Sequence, residues 1–369
     1  MNAPSPLVSP FKIVDLFAGP GGLDQAARQL GVASVGIEWD KDACATRSAN
    51  DLQTESGDVR DFSPIQFTDD GCNVLAGGPP CQTFTVAGRG AGRRALDHVL
   101  TFADRLRARH PMKEIRADLA SLKDEVTGKH DDRTGLVLEP LRWALEAIDA
   151  GRPFQAIILE QVPAVLPVWK RYAEILHAEG YAVATPRVLH TEEYGVPQTR
   201  RRAILVARWT GKDRLLPGVP DMPDPTHGRY HKRKPREEHG FGLAPWVSME
   251  DVLTRRPIPF TVVSNYGTGG DPKARGQRGS YEPAATVTGK ISRNRIVGRD
   301  GLDQPRLTES EAGQLQTFPA SPDWIWAGAA VAQQIGNAVP PRLGMHVLAA
   351  ALNLGDEYLA EELKRSYAY

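Results

Sequence analysis

The sequence predicts an α/β protein with a doubly wound, mostly parallel sheet and a second, smaller, irregular β-leaning domain. Three observations carry this. Strand-like and helix-like segments alternate through the first half of the chain, as a parallel sheet with crossover helices requires. A glycine-rich turn follows the first strand. Between residues 209 and 281 helical periodicity fades, proline and glycine become frequent, and short charged clusters such as His231-Lys232-Arg233-Lys234-Pro235-Arg236 take over.

Residues 12–17 read as a buried strand, followed by the turn at 19–22 and a helix at 23–30. Residues 34–37 form a second strand ending at Glu38-Trp39-Asp40, and residues 73–76 a third ending at Gly77-Gly78-Pro79-Pro80-Cys81-Gln82. Residues 156–159 form a fourth that ends at Glu160, and residues 203–207 a late strand directly after Gln198-Thr199-Arg200-Arg201-Arg202. The chemistry-bearing residues therefore fall at strand ends, where open α/β sheets bind ligands. Helical character returns at 309–316 and 343–352, so the first domain is discontinuous. The expected division is a disordered tail at 1–10, a catalytic domain at 11–208, a small domain at 209–282, and a return to the first domain at 283–369. Apolar residues three or four apart at 94–130 (Val99, Leu100, Phe102, Leu106, Ile115, Leu119, Leu122) predict a solvated helical hairpin.

Composition narrows the class. The chain has 369 residues, with 45 basic and 45 acidic side chains. Zero net charge excludes a nucleic-acid binder working by bulk charge, but leaves room for a local basic cleft. Three cysteines, Cys44, Cys72 and Cys81, without CxxC spacing support neither a disulfide framework nor a zinc site. The opening residues lack an apolar stretch of signal-peptide type, and no run of 18 apolar residues predicts a membrane span.

Asp15-Leu16-Phe17-Ala18-Gly19-Pro20-Gly21-Gly22, Gly77-Gly78-Pro79-Pro80-Cys81-Gln82, Glu160, Gln198-Thr199-Arg200-Arg201-Arg202 and Gly336-Asn337-Ala338-Val339, in this order, resemble the DNA (cytosine-5) methyltransferases. The resemblance covers roughly residues 11–207 and 283–350. It implies a Rossmann-like class I methyltransferase fold with S-adenosylmethionine as cofactor, and a target recognition domain at 209–282. Its cofactor contacts would be Phe17, Ala18, Gly19, Gly21, Gly22, Leu23, Glu38, Trp39, Asp58, Val59, Pro79, Asn337 and Val339. Glycines let the backbone approach a ligand at a helix start. Glu38 stands where a carboxylate binds ribose hydroxyls, Trp39 could pack on adenine, and Asp58 could accept from its amino group.

The family chemistry explains the other motifs. Cytosine C5 is a poor nucleophile, and thiolate addition at C6 makes it enamine-like. Cys81 is the expected nucleophile, whereas Cys44 and Cys72 read as small hydrophobes. Glu160 would protonate N3, acting in the neutral form that burial favours. The family usually has Glu-Asn-Val here; Gln161 stands in the Asn position and puts its local hydrogen bonds in question. Arg202 would bind the cytosine O2 and Arg200 support the pocket, with Arg201 on the opposite, solvated face. No residue stands out as the base that removes the C5 proton. The target base must be flipped out of a duplex. Residues 83–94 (Gly88, Gly90, Gly92; Arg89, Arg93, Arg94) are suited to a loop that closes over it. Arg233, Lys234, Asn265, Arg275, Arg278 and Arg293 are candidate base readers.

The implied activity is sequence-specific methylation of double-stranded DNA by a cytoplasmic, nucleoid-associated monomer; an orphan enzyme and one partnered by a cognate restriction endonuclease both stay open. A tRNA cytosine-5 methyltransferase shares the catalytic set. The long variable stretch at 209–281 favours DNA. A catalytically silent DNA binder is disfavoured by the presence of Cys81, Glu160 and Arg202. A nicotinamide enzyme is disfavoured by the glycine pattern.

Overall fold

The computed structural model describes residues 9–80, 91–121, 134–232, 234–236, 240, 242–264, 276–367 and 369. Its main sheet has strand order β3-β2-β1-β4-β5-β8-β6, with β7 also paired to β8. These strands are β1 (Lys12–Leu16), β2 (Ala33–Glu38), β3 (Thr54–Ser56), β4 (Val74–Gly77), β5 (Ala156–Gln161), β6 (Tyr181–Val183), β7 (Arg187–His190) and β8 (Arg201–Trp209). β1 to β5 pair in parallel, and β8 runs antiparallel to β5, β6 and β7.

Two features differ from the sequence expectation. β3 is only three residues long and, with two of them exposed, carries no strand-like apolar pattern. β8 runs antiparallel in a sheet expected to be mostly parallel, and the arginines lie at its amino-terminal start, not at a carboxyl end. Because β8 opposes β5, that start still arrives beside the end of β5, with Ile204 opposite Glu160 and Ala203 opposite Gln161.

Strand alternation splits the core into two layers. On one face Val14, Leu16, Leu75, Ile157, Leu159 and Leu205 pack under α3 (Pro64–Asp69), α4 (Ala91–Arg107), α5 (Met112–Ser121), α6 (Glu139–Asp149) and α7 (Leu166–Ala178). On the other, Ile13, Val74, Ala156, Ile158, Ile204 and Val206 pack under α1 (Gly22–Gln29) and α11 (Pro341–Leu352). The remaining helices are α2 (Lys41–Ala49), α8 (Met249–Val252), α9 (Glu309–Leu315), α10 (Val331–Asn337) and α12 (Asp356–Ser366).

The expected hairpin at 94–130 forms as α4 and α5, but it is not solvated. Val99, Phe102, Ala103, Leu106, Ile115 and Leu119 are buried in the first core layer, because their helical spacing gives each helix an apolar face that packs against the neighbouring α6, α7 and the 3-10 segment Thr134–Leu138. Leu122 lies outside the described residues. The helix also begins earlier than the loop reading allowed: Gly92, Arg93 and Arg94 are helical.

A second, antiparallel sheet has the order β10-β9-β11-β12, formed by Phe260–Val263 (β9), Gln277–Gly279 (β10), Arg295–Gly298 (β11) and Asp303–Gln304 (β12). Its core includes Met249, Phe260, Val287, Ile296, Leu315 and Ile335. Strands and core residues thus come from both sides of position 282, and the small unit does not close at that expected boundary.

Candidate active site

β1 and β4 are neighbours whose following connections diverge, which makes the gap beyond their ends the topological switch point of the sheet. The glycine turn leaves β1 and the Gly78-Pro79-Pro80 turn leaves β4, so both motifs open at one place. Phe17 takes φ +60° as the chain leaves the strand, and Gly19 and Gly21 follow at +56° and +103°. At Gly22 the constraint is contact: a Cβ there would lie 2.1 Å from the Val339 carbonyl oxygen. The absent side chain lets residues from opposite ends of the sequence, Gly22 and Val339, meet backbone to backbone.

Glu38, at the end of β2, is buried and ties the turn together. Its Oε2 accepts from the Gly19 N–H at 2.8 Å, and its Oε1 accepts from the Trp39 and Asp40 N–H groups at 2.9 and 2.7 Å. Burial raises the carboxyl pKa, against the lowering pull of these backbone donors. Trp39 is 60% exposed, an unusual setting for a large aromatic and one that leaves its ring face open. Asp58 caps the 3-10 turn Val59–Asp61 through the Arg60 N–H, and Arg60 also grips its carboxylate, with Nη2 at 2.6 Å from Oδ2. Val59, Ala18, Leu23 and Pro79 are buried, while Asn337 ends α10 exposed, accepting from Gln333.

Sequence reasoning missed the support beneath this turn. Asp24 and Arg47 form a fully buried ion pair at 2.6 Å, and Arg47 also donates to Thr54 Oγ1 and the Gln53 carbonyl. Gly36 is the price of that pair's position, since a Cβ there would lie 2.1 Å from an Arg47 nitrogen. Asp15 was likewise read only as part of a motif. It is buried with Oδ1 unpartnered, and burial followed by the charge of Asp24 pushes its pKa well up.

Glu160 lies at the end of β5 with its Oε1 2.6 Å from Arg202 Nε. The approach is close but poorly directed for a hydrogen bond, so the contact is chiefly one of charge. The Gly78 turn runs alongside, and a Cβ on Gly78 would sit 3.5 Å from Glu160 Oε2. Gln161 answers the question raised by its departure from the family pattern. Its side-chain amide donates to the Pro79 carbonyl and its oxygen accepts from the Val162 N–H, joining the end of β5 to the turn that leads into Cys81. Cys81 itself, with Gln82 and residues 83–90, lies outside the described residues.

Arg200 and Arg202 serve different ends. Arg200 is buried and donates to the carbonyls of Val287, Gly336 and Ala338, so it binds the second unit and the Asn337 segment to the main sheet. Arg202 is the one that reaches Glu160, and Arg201 is exposed. Beside them a cleft of about 590 Å³ is lined by Arg201, Arg202, Arg229, Arg278, His190 and Tyr230, among others. Positive charge is thus concentrated in one groove of a neutral chain. Of the candidate base readers, Arg278 stacks over the Tyr230 ring at 4.4 Å and lies 3.7 Å from Glu282. Lys234 and Arg293 are exposed, and Arg233, Asn265 and Arg275 lie outside the described residues.

A family model for C-5 cytosine-specific DNA methylases matches residues 11–107 and 126–353. The chain belongs to that family. This methylase is 28% identical over 381 residues to the type II methyltransferase M.Eco47II of Escherichia coli, covering 94% of this chain and 80% of that protein. It is 24% identical over 355 residues to the type II methyltransferase M.HpaII of Haemophilus parainfluenzae, covering 89% and 86%. Among solved structures, the S. pombe Dnmt2 methyltransferase superposes with a TM-score of 0.55 at 14% identity, covering 93% of this methylase and 99% of that chain. The chain is accordingly an α/β DNA methyltransferase that modifies C5 of cytosine in a sequence-specific manner.

Proposed function

We propose that this methylase works through a covalent bond between Cys81 and cytosine C6, with Glu160 and Arg202 holding the flipped base. The observation that carries the reading is the Glu160–Arg202 pair beside the turn that leads into Cys81. The Cys81 thiolate adds to C6 while N3 takes a proton from Glu160, which picks that proton up from solvent as the base enters and its charge contact with Arg202 gives way, so negative charge does not accumulate on the ring. Arg202, holding Glu160 through Nε, also lines the cleft and is suited to the cytosine O2. After C5 is methylated, loss of the C5 proton to a base or water, return of the N3 proton to Glu160 and departure of the Cys81 sulfur restore the C5–C6 double bond. Arg200 acts through the backbone it binds.

The residues present fit S-adenosylmethionine as the methyl donor. A Cβ at Gly19 would face open space, the Trp39 ring is exposed, and Glu38 is fixed by backbone donors at the end of β2. We assign Glu38 to the ribose hydroxyls, Trp39 to the adenine face and Asp58 to the adenine amino group. Arg60 meets both Asp58 oxygens through its N–H, Nε and Nη2, so the adenine amino group would take the place of one of these side-chain contacts. Phe17 to Leu23, Val59, Pro79, Asn337 and Val339 complete the walls. When bound, this donor supplies an electrophilic methyl group on a sulfonium.

The second unit, built around β9 to β12, is assigned to target recognition, with double-stranded DNA in the basic cleft. The type II relatives support a restriction-modification setting with a cognate endonuclease, and a monomer in the bacterial cytoplasm is the expected form. Among the described residues no helix is long and apolar enough to cross a membrane. Replacing Cys81 by Ala should abolish turnover and leave donor binding intact. Methylation by that variant would overturn the mechanism.

A further inference from the structure

We infer that Arg116, on the inserted helix α5, is a positioning residue for the methyl donor, bracing the loop that would receive its adenine ring. The inference rests on the S-adenosylmethionine reading above.

α5 (Met112–Ser121) falls within residues 108–125, which the family pattern passes over. It is nonetheless anchored: Ile115 and Leu119 are buried in the main core, and Arg105 of α4 pairs with Asp118 at 2.5 Å. Between them Arg116 points at the loop following Asp58. Its Nη2 donates to the Arg60 carbonyl at 3.2 Å and to Glu139 Oε1 at 3.1 Å. The other Glu139 oxygen accepts from Arg142 Nε at 2.6 Å, and Arg142 Nη2 donates to the carbonyls of Val59 and Phe62 at 3.1 and 3.2 Å.

Glu139 is buried, and its carboxylate holds two guanidinium groups in place, each of which donates to backbone oxygens of one short loop. A 3-10 turn of three residues satisfies few of its own carbonyls and depends on such outside donors. Arg142 comes from α6, inside the matched family segment, whereas Arg116 is contributed by the insertion alone. Its charge also reaches Asp58: burial pushes that carboxyl up, but the hydrogen bonds and charge of Arg60, aided by Arg116, bring it below its ordinary value. The insertion thus connects the chain leaving the Cys81 loop, through α4 and α5, to the loop assigned to adenine.

The test uses the full chain without DNA. Binding of S-adenosylmethionine is measured by calorimetry for the wild type, Arg116→Met, Arg116→Lys and, as a control on the same hairpin, Arg105→Met. Amide hydrogen exchange is followed at residues 58–62. Arg116→Met should bind the donor on the order of 5- to 10-fold more weakly, part of the worth of one charge-assisted hydrogen bond, since the lost bond braces the loop and does not touch the donor. It should exchange faster at 58–62, with Arg116→Lys intermediate. In a separate steady-state assay with DNA added, its KM for the donor should rise while kcat at saturation is kept. Arg105→Met should lower the melting temperature without moving donor affinity. If Arg116→Met fails to fold, Arg116→Lys decides the question by the same readouts. Wild-type affinity in a folded Arg116 variant overturns the inference alone; a wild type that does not bind the donor overturns the cofactor reading and the inference with it.

Discussion

Arg202 holds Glu160 across two antiparallel strands, its Nε 2.6 Å from Glu160 Oε1. Because β8 opposes β5, an arginine at the start of one strand reaches an acid at the end of the other, and the Gly78 turn closes the third side. If Glu160 is the proton donor to N3, Glu160→Gln should keep the fold and donor binding and reduce single-turnover methylation by about 10²–10⁴-fold, the usual weight of general acid catalysis. Rapid-quench measurement at saturating DNA and donor gives the number. A loss under threefold would remove Glu160 from the chemistry.

Gln161 couples that acid to the turn before Cys81 through the Pro79 carbonyl. Gln161→Ala leaves a buried carbonyl without its donor, at a cost of about 1–3 kcal/mol. Urea unfolding should show that loss, and the Cys81 adduct should form more slowly. Gln161→Asn, with an amide one methylene nearer the backbone, should recover part of both.

The glycine turn separates two kinds of constraint. Gly22→Ala drives a methyl into the Val339 carbonyl, and should destabilise by about 1–3 kcal/mol and abolish donor binding. Gly19→Ala meets open space in the protein, so its stability carries only the strain of φ +56°, about 1 kcal/mol, while the added methyl enters the space assigned to the donor and should weaken binding less than Gly22→Ala does. Calorimetric donor titration of both variants checks the ordering.

Stability should depend on pH through two buried groups. Glu192, which lines the basic cleft, is pushed up to about 7 by burial from an ordinary 4.5. The folded protein therefore keeps a proton that the unfolded chain releases, and stability falls as pH rises from about 5 through 7. His346, buried and pushed down to about 3 from 6.5, acts in the opposite sense, with stability lost as pH falls below about 6.5. Glu192→Gln should become more stable relative to the wild type between about pH 5 and 8, by on the order of 2–3 kcal/mol. An unchanged difference across that range would contradict the assignment. The neighbouring His190, lowered to about 4 by burial and then by Arg229 and Arg201, is neutral at pH 7, so its 3.7 Å approach to Glu192 is not an ion pair there.

Much of this was legible in the sequence because motif residues sit at strand ends, and strand ends are marked by apolar runs stopping at glycine, proline or a charge. What was not legible depended on partners distant in the chain. The antiparallel run of β8 leaves no trace in residues 201–209, since a buried central strand is apolar in either direction. The solvated reading of the 94–130 hairpin failed because its charges are real but lie on one face, and two of them, Arg105 and Arg109, are paired with Asp118 and with Asp149 and Glu179. Arg47 could not be recognised as the buried partner of Asp24, because nothing local to α2 distinguishes it from a surface arginine. Alternation put Arg200 and Arg202 on one face and the family resemblance alone gave them different roles; in the structure one binds three backbone carbonyls and the other meets the acid.

The most direct test of the central claim is to offer the methylase duplex DNA of randomised sequence carrying 5-fluorocytosine, with an RNA pool in parallel and S-adenosylmethionine present. Fluorine at C5 cannot leave as a proton, so elimination stalls with the enzyme bonded to the base. The account predicts denaturant-resistant complexes with DNA sharing a short motif, the adduct mapped to Cys81 and absent from Cys81→Ala. Trapping of RNA alone, or an adduct that survives the Cys81→Ala change, would contradict it.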